Sequence, residues 1–434
     1  MPKIALAILL ASAPAAPAVA GEPGPIPDNL RTVLKLDGFY QKTCDAGGLP
    51  VVGSAKVSDH ALAEAAWIVG KMLDGRADIL KAMTGNRVRV AVMAATEYTT
   101  DIPEHADLKT KQFWDRRARG LGATPRNPCV SCGEENLLGH RGDPYPDENI
   151  FVHEFAHAIH GTGLNTVDPT FDKRLRAAYA AAKERGLWKN TYALSNRSEY
   201  WAEGVQCWFD DNARPNALHN DVRTRAKLKE YDKELAKLCQ EVFGDKEWRY
   251  LRPAKRKPAD LKHLPGYDPK KLPRFKWRDV PVGDKPRVTI QTAAGDFDVE
   301  LDAKAAPEAV AVFLTIALDG GYHSGQFARA AGGRVSATAN PDHLTADTLA
   351  RLKLPDVPDS KEKPADGTIA LVRDGKAVVG FAVFVGTPTE PPGNVIPFGK
   401  VVKGKDVVKK ILAEPADGDR LKSPLDIRRV IRTE

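Results

Sequence analysis

The pentapeptide His153-Glu154-Phe155-Ala156-His157 places stricter demands on the fold than any other stretch of the chain. On a helix, positions i and i+4 share a face with Cβ atoms about 5–6 Å apart, so both imidazoles project together with Glu154 beside them. The flanks Ile150, Phe151, Phe155, Ala156 and Ile159 are apolar, which predicts a buried helix over 148–160 that stops at Gly161. A buried helix does not carry two imidazoles and a carboxylate inward without a ligand to satisfy them. The spacing suits a single Zn2+ held by His153 and His157 at about 2.0–2.1 Å, with Glu154 taking a proton from water.

A catalytic zinc has three protein ligands and one open position. A metzincin would need Gly at 160 and His at 163, and this chain has His160 and Gly163. His160 lies a further turn along the helix and reads as a hydrogen-bonded residue of its last turn. The better third ligand is in Asn196-Arg197-Ser198-Glu199-Tyr200-Trp201-Ala202-Glu203-Gly204-Val205-Gln206-Cys207-Trp208-Phe209. As a helix, this segment sets Trp201, Val205 and Trp208 on one face and Glu199, Glu203 and Gln206 on another. Two carboxylates four apart on a Trp-rich helix call for a cation. Glu199 is therefore expected as third ligand, and Glu203 as acceptor for the remaining N–H of His153, fixing its tautomer. Glu134-Glu135-Asn136 suits a substrate terminus, a structural cation or a solvated loop equally, and receives no assignment.

These two helices resemble the gluzincin metallopeptidases, and among them the anthrax lethal factor (ATLF-like) catalytic domains, over residues 148–210. That resemblance implies peptide-bond hydrolysis at one catalytic zinc. It also implies an oxyanion-stabilising role for Tyr192, seven residues before Glu199.

Residues 1–20, MPKIALAILLASAPAAPAVA, combine one Lys, a short apolar run and Ala18-Val19-Ala20. They read as a secretory signal cleaved after Ala20, so the protein is expected to be exported, to a periplasmic or extracellular space. No other apolar run approaches the ~20 residues of a membrane span. An oxidising compartment favours disulfides, which predicts a bridge from Cys129 or Cys132, with Cys44 as a partner, and leaves Cys207 unpaired. The net charge of +7 does not indicate a nucleic-acid partner, because residues 252–286 alone hold eleven Lys/Arg against four Asp/Glu. That basic, Pro-rich segment reads as a solvated linker.

Helices are expected from Ser58, over 77–83, from Asp168 to Gly186, from Asn196 or Ser198 to Phe209, and over 221–243. A strand is expected over 87–93, and loops over 100–147. Beyond the basic segment the pattern becomes β-rich: 288–292 and 297–301 flank a hairpin turn, and 368–372, 377–385 and 399–402 read as further strands.

Residues 287–434 resemble the cyclophilin-type peptidyl-prolyl isomerases. The likeness rests on the opening hairpin, on Ala305-Ala306-Pro307-Glu308-Ala309-Val310 with Phe313, and on Pro397-Phe398-Gly399-Lys400-Val401-Val402-Lys403-Gly404. It implies a closed antiparallel β-barrel capped by helices, with Phe327, Arg329 and Phe384 in a pocket for a proline-containing peptide. Where the family has Phe-Met and Gln in that pocket, this chain has Arg334, Val335 and Ala337. An arginine there is hard to desolvate, and a binding module with weak or absent isomerase activity is expected.

The chain is thus expected to be multidomain: signal 1–20, a mainly α (α+β) zincin-like domain 21–251, linker 252–286, and a cyclophilin-like barrel 287–434. It is expected to be an exported zinc metallopeptidase acting on peptides or proteins. One alternative is a prolyl isomerase with an accessory metal-binding domain; another is a non-catalytic extracellular zinc protein. Mixed-peptide hydrolysis with metal stoichiometry separates the three.

Overall fold

The computed structural model describes residues 21–109, 111–189, 191–215, 219–278, 282–318, 321–322, 325–339, 363–374, 377–388 and 393–433. The expected signal segment 1–20 lies outside them. The chain divides into two compact units, one of residues up to 97, 120–214 and 219–275, the other of 98–119, 215–218 and 276–434.

The first unit is built on a six-stranded sheet: β1 (Gly24–Pro25), β2 (Lys42–Ala46), β3 (Leu49–Gly53), β4 (Arg89–Met93), β5 (Gly120–Leu121) and β6 (Cys129–Gly133). Their spatial order is β1-β2-β3-β4-β6-β5. The β3–β4 and β4–β6 pairs are parallel, and β5 lies antiparallel at the edge. All five residues of β3 and of β6 are buried, as befits strands covered on both faces. The unit is therefore less helical than expected, since the sequence indicated only β4.

Helix Asp59–Met72 starts near Ser58, but the Ser58 side chain makes no cap. The Ser58 amide instead donates to the Glu134 carboxylate (2.8 Å), as does the Ala95 amide (2.8 Å). Glu134 thus joins two chain segments at backbone donors, one of them buried. The helix with both histidines runs Ile150–Ala158, and Asn149 caps it by accepting from Phe151 N and Val152 N. It does not stop at Gly161: Ile159–Leu164 continues as a wider π-turn. Gly163 packs there so closely that a Cβ would lie 2.7 Å from Ile79 Cγ2. Helix Arg197–Trp208 is capped by Asn196, and every residue from Tyr200 to Trp208 is buried. The Trp201 indole donates to Ala156 O (2.9 Å), tying this helix to the first. The expected single helix over 221–243 is two, Arg225–Tyr231 and Lys233–Phe243. Buried Asp232 separates them and accepts from Leu235 N (3.1 Å), Trp188 Nε1 (2.8 Å) and Tyr200 Oη (2.7 Å).

Two further expectations are corrected. All five cysteines are free and buried. Cys129 and Cys132 are three apart on β6, so they face opposite sides of the sheet. Burial raises the Cys44 thiol pKa to about 11 and those of Cys207 and Cys239 well above the ordinary value. Nor is most of 252–286 a solvated linker. Residues 253–275 lie on the first unit, where Arg256 forms two hydrogen bonds with buried Glu64 (2.9 and 2.6 Å) and His263 a third (2.8 Å). The Lys/Arg excess in this segment partly neutralises acids that the fold has buried.

The second unit is a barrel of β7 (Arg287–Thr292), β8 (Gly295–Leu301), β9 (Gln326–Ala331), β10 (Arg334–Thr338), β11 (Thr368–Asp374), β12 (Ala377–Phe384) and β13 (Val395–Lys403), with short β14 (Ala416–Asp417) and long β15 (Arg420–Arg432). The order is β14-β15-β7-β8-β13-β11-β12-β10-β9, every pair is antiparallel, and β15 also pairs with β9. That last pairing closes eight strands into a ring. Val288, Ile290, Phe297, Val299, Phe313 and Phe381 fill the interior, and helices Pro307–Leu318 and Lys405–Leu412 accompany it. No helix among the described residues is long and apolar enough to cross a membrane.

Candidate metal centre

The caps, the packing and the Trp201 hydrogen bond bring the helices Ile150–Ala158 and Arg197–Trp208 side by side, and three donor atoms converge between them. His153 Nε2 lies 3.0 Å from Glu199 Oε2, His157 Nε2 lies 3.3 Å from the same oxygen, and the two Nε2 atoms are 3.2 Å apart. Among the described residues this is the one group of three or more His, Cys, Asp or Glu side chains close enough to hold a metal ion. A tetrahedral site with bonds of about 2.0–2.1 Å has edges of about 3.3–3.4 Å. Two imidazoles and one carboxylate at these separations fit Zn2+.

The two helices also pair their charges directly. Burial resists protonation of His153, yet the hydrogen bond to Glu199 and the charges of Glu154, Glu199 and Glu203 raise its pKa to about 10. Burial also disfavours the Glu199 carboxylate, but hydrogen bonds and charge from His153 and His157 hold its pKa well below the usual range.

The acceptor for the remaining nitrogen of His153 is not Glu203. His153 Nδ1 is 2.7 Å from Gln206 Oε1 and 3.7 Å from Glu203 Oε1. Gln206 lies nearly one turn beyond Glu203, where the ring nitrogen points, and its amide donates onward to Glu148 Oε2 (3.0 Å). Glu203 accepts instead from Asn212 Nδ2 (3.0 Å) and pairs with His219 Nε2 (3.5 Å). An acid was the expected acceptor for an imidazole N–H; an amide oxygen serves as well and adds no buried charge. His160 bonds Asp172 Oδ1 (3.1 Å) and takes no part in the cluster.

Glu154 is half-buried on the same helix. A Cβ on Gly120 would come within 3.1 Å of Glu154 Cγ, and one on Gly122 within 2.7 Å of His157 Cβ and 3.3 Å of Glu154 Oε2. Glycine at both positions lets the β5 backbone run directly beside the cluster, a feature that the loop reading of 100–147 missed. The Tyr192 ring lies 6.2 Å from that of His153, centroid to centroid.

On the barrel, the three expected pocket residues do not share one surface. Arg329 lies opposite Ser336, Ser336 opposite Ala382, and Arg334 opposite Phe384. Opposed residues share a face, so Arg329, Arg334 and Phe384 line the same side of β9, β10 and β12. Phe384 packs there with Ala370, Ala382 and Val395, and exposed Arg329 pairs with Asp419 (2.8 Å). Phe327 points the other way, into the barrel core. An irregularity in the β9–β10 register between Ser336 and Ala337 breaks the alternation. Arg334 Nη1 is shielded from solvent and has no hydrogen-bond partner among the described residues.

Residues 287–432 match the family model for the cyclophilin type peptidyl-prolyl cis-trans isomerases. Among solved structures, the chain is similar in part to a cyclophilin-type isomerase of Cryptosporidium parvum determined in the presence of the dipeptide Ala-Pro. Identity is 17%, coverage 34% of this chain and 99% of that one, and the TM-score 0.30. A second structure of the Cryptosporidium parvum enzyme gives 16% identity, 35% and 98% coverage, and a TM-score of 0.27. No curated protein matches the chain. The family match and the closed eight-stranded ring identify residues 287–432 as a cyclophilin-type domain.

Proposed function

We propose that the first unit is a zincin-like, zinc-dependent peptide hydrolase, exported by the leader in residues 1–20 to a periplasmic or extracellular space. The observation that carries this reading is the convergence of His153, His157 and Glu199 at 3.0–3.3 Å on two helices capped and packed to hold them. Zn2+ held by these three side chains would supply a Lewis acid that polarises the scissile carbonyl. Glu154 takes a proton from the attacking water and passes it to the leaving amine. Tyr192 donates a hydrogen bond to the oxyanion as it develops. Gln206 keeps the His153 ring in the tautomer whose Nε2 lone pair faces the ion. The edge backbone at Gly120–Gly122 lines up an extended peptide beside Glu154.

The test is hydrolysis of a mixed peptide library by the full chain. Cleavage should require about one zinc per chain, cease with a chelator, and fall about 10²-fold or more in Glu154→Gln with zinc retained. Cleavage by metal-free protein would overturn the reading.

The second reading is a prolyl isomerase with an accessory metal-binding unit, and the family match over 287–432 favours it. Arg329 keeps the arginine of the pocket that the likeness implies for a proline-containing peptide. Arg334, opposite Phe384 on the same face, opposes a proline ring there, and we therefore favour a peptide-binding module with weak or absent turnover. Clear isomerisation by the full chain, lost on Arg329→Ala, would reverse that preference.

A further inference from the structure

A cavity of about 990 Å³ opens in the first unit, and its lining includes none of the metal-centre side chains. One wall is Phe209, the C-terminal cap of the helix that carries Glu199. Ten residues separate the two, about 15 Å along a helix axis. The volume lies at the upper end of the range for small-molecule sites.

Its walls are aromatic and mutually braced. Trp67 meets Trp248 edge to face at 5.8 Å, Trp248 meets Phe209 at 5.0 Å, and Phe209 meets Phe243 at 5.0 Å. Trp67 is itself covered, stacked on His263 (ring centroids 4.7 Å) with the Arg256 guanidinium 4.1 Å from its centroid. A flat apolar body entering here therefore meets Trp248 and Phe209, which are already in place, so little side-chain ordering opposes binding.

Some donors around those walls are uncommitted. The indoles of Trp188, Trp201 and Trp208, elsewhere in this unit, each donate to a protein acceptor. Trp67 Nε1 and Trp248 Nε1 have no such partner among the described residues. Of the cavity's acids, Asp59 is paired with Lys42 and Asp74 with Lys246. His263 is bound to Glu64, and Arg225 to Asp245. That leaves the Lys71 and Lys262 ammonium groups without an acid, against the single unpaired carboxylate of exposed Glu22. Trp67 and Lys71 stand four apart on helix Asp59–Met72 and so share a face, with the Lys71 ammonium 5.3 Å from the indole centroid. An N–H and an ammonium beside an aromatic wall are complementary to an anion on an aromatic body.

We propose that this cavity binds an aromatic carboxylate, its ring against Trp248 and Phe209 and its carboxylate at Lys71 and the Trp67 N–H. The occupant is either a free aromatic acid or the C-terminal aromatic residue of a peptide, which present the same chemistry. The site is separate from the one proposed for hydrolysis, and neither assignment depends on the other.

Calorimetry on the full chain, with EDTA present throughout to exclude coordination at the metal centre, tests this. The probes are 3-phenylpropionate, the peptide Ala-Ala-Phe with a free C-terminus, and the amide of each. Saturable 1:1 binding of 3-phenylpropionate is expected, about fivefold or more tighter than its amide. Lys71→Met should abolish that preference while leaving amide binding and far-UV circular dichroism unchanged. Because Lys71 is exposed, the variant should fold. Trp248→Phe, which keeps a ring but removes an N–H, should weaken both probes. Ala-Ala-Phe binding as tightly as 3-phenylpropionate identifies a chain end as the occupant; its failure alongside a binding free acid identifies a small molecule. No saturable binding, equal affinity for acid and amide, or indifference to Lys71→Met would overturn the proposal.

Discussion

Gln206 is where a single side chain decides how the metal ligands are presented. It accepts from the His153 ring and donates to Glu148, so its amide can lie only one way round and the imidazole is fixed with it. Gln206→Leu should keep the fold and lower zinc affinity about 10–100-fold, measured by competition with a chromogenic chelator. Glu203→Gln should change it less. His140 makes a different point. It is buried, and neither ring nitrogen has a hydrogen-bond partner among the described residues. Burial lowers its pKa, against a smaller opposing effect of the Glu135 charge. The unfolded chain therefore takes up this proton at about pH 6.5 while the folded chain still refuses it. Its contribution to stability is complete above about pH 6.5 and is lost as pH falls toward the depressed folded value. Thermal unfolding followed from pH 7 to 5 should show a falling midpoint, with a shallower fall in His140→Phe.

At the scale of elements, Asp232 governs how two helices and a tryptophan loop meet the helix of Glu199. It caps Lys233–Phe243 and accepts from Trp188 and Tyr200. Asp232→Ala leaves two buried donors and a helix start unsatisfied, and denaturant unfolding should report a loss of about 2–4 kcal/mol. The same residue explains an error of sequence reading. Over 221–243 the apolar pattern continues through Asp232, so periodicity alone joins the two helices. What was legible locally was legible well: the spacing of His153 and His157, the polar stripe 199–203–206, and the hairpin of β7 and β8. What was lost depends on neighbours distant in sequence. Strands β3 and β6 are buried on both faces, so they lack the alternation that marks a strand. Glu203 and Gln206 sit on one stripe, and only the approach of the first helix selects between them. Phe327 and Arg329 share parity, and a shift in register separates them.

At the scale of the molecule, charge that reads as solvated in the sequence is internal in the fold. Arg256 and Glu64 are almost fully buried, with side-chain exposures of 3% and 0%. Removing one partner of such a pair costs about 3–5 kcal/mol, whereas replacing both with apolar groups costs far less. Arg256→Met should accordingly destabilise the protein much more than Arg256→Met with Glu64→Leu, read from urea midpoints of the full chain.

The stretch from 253 to 275 has a practical corollary for anyone wishing to produce the first unit alone. Terminating the gene at residue 251, where the amino acids turn basic and proline-rich, would strip Glu64 of both the guanidinium and the imidazole that compensate it. A piece that keeps both partners of Glu64 must run at least through His263, so what resembles dispensable spacer carries the groups that compensate a buried acid.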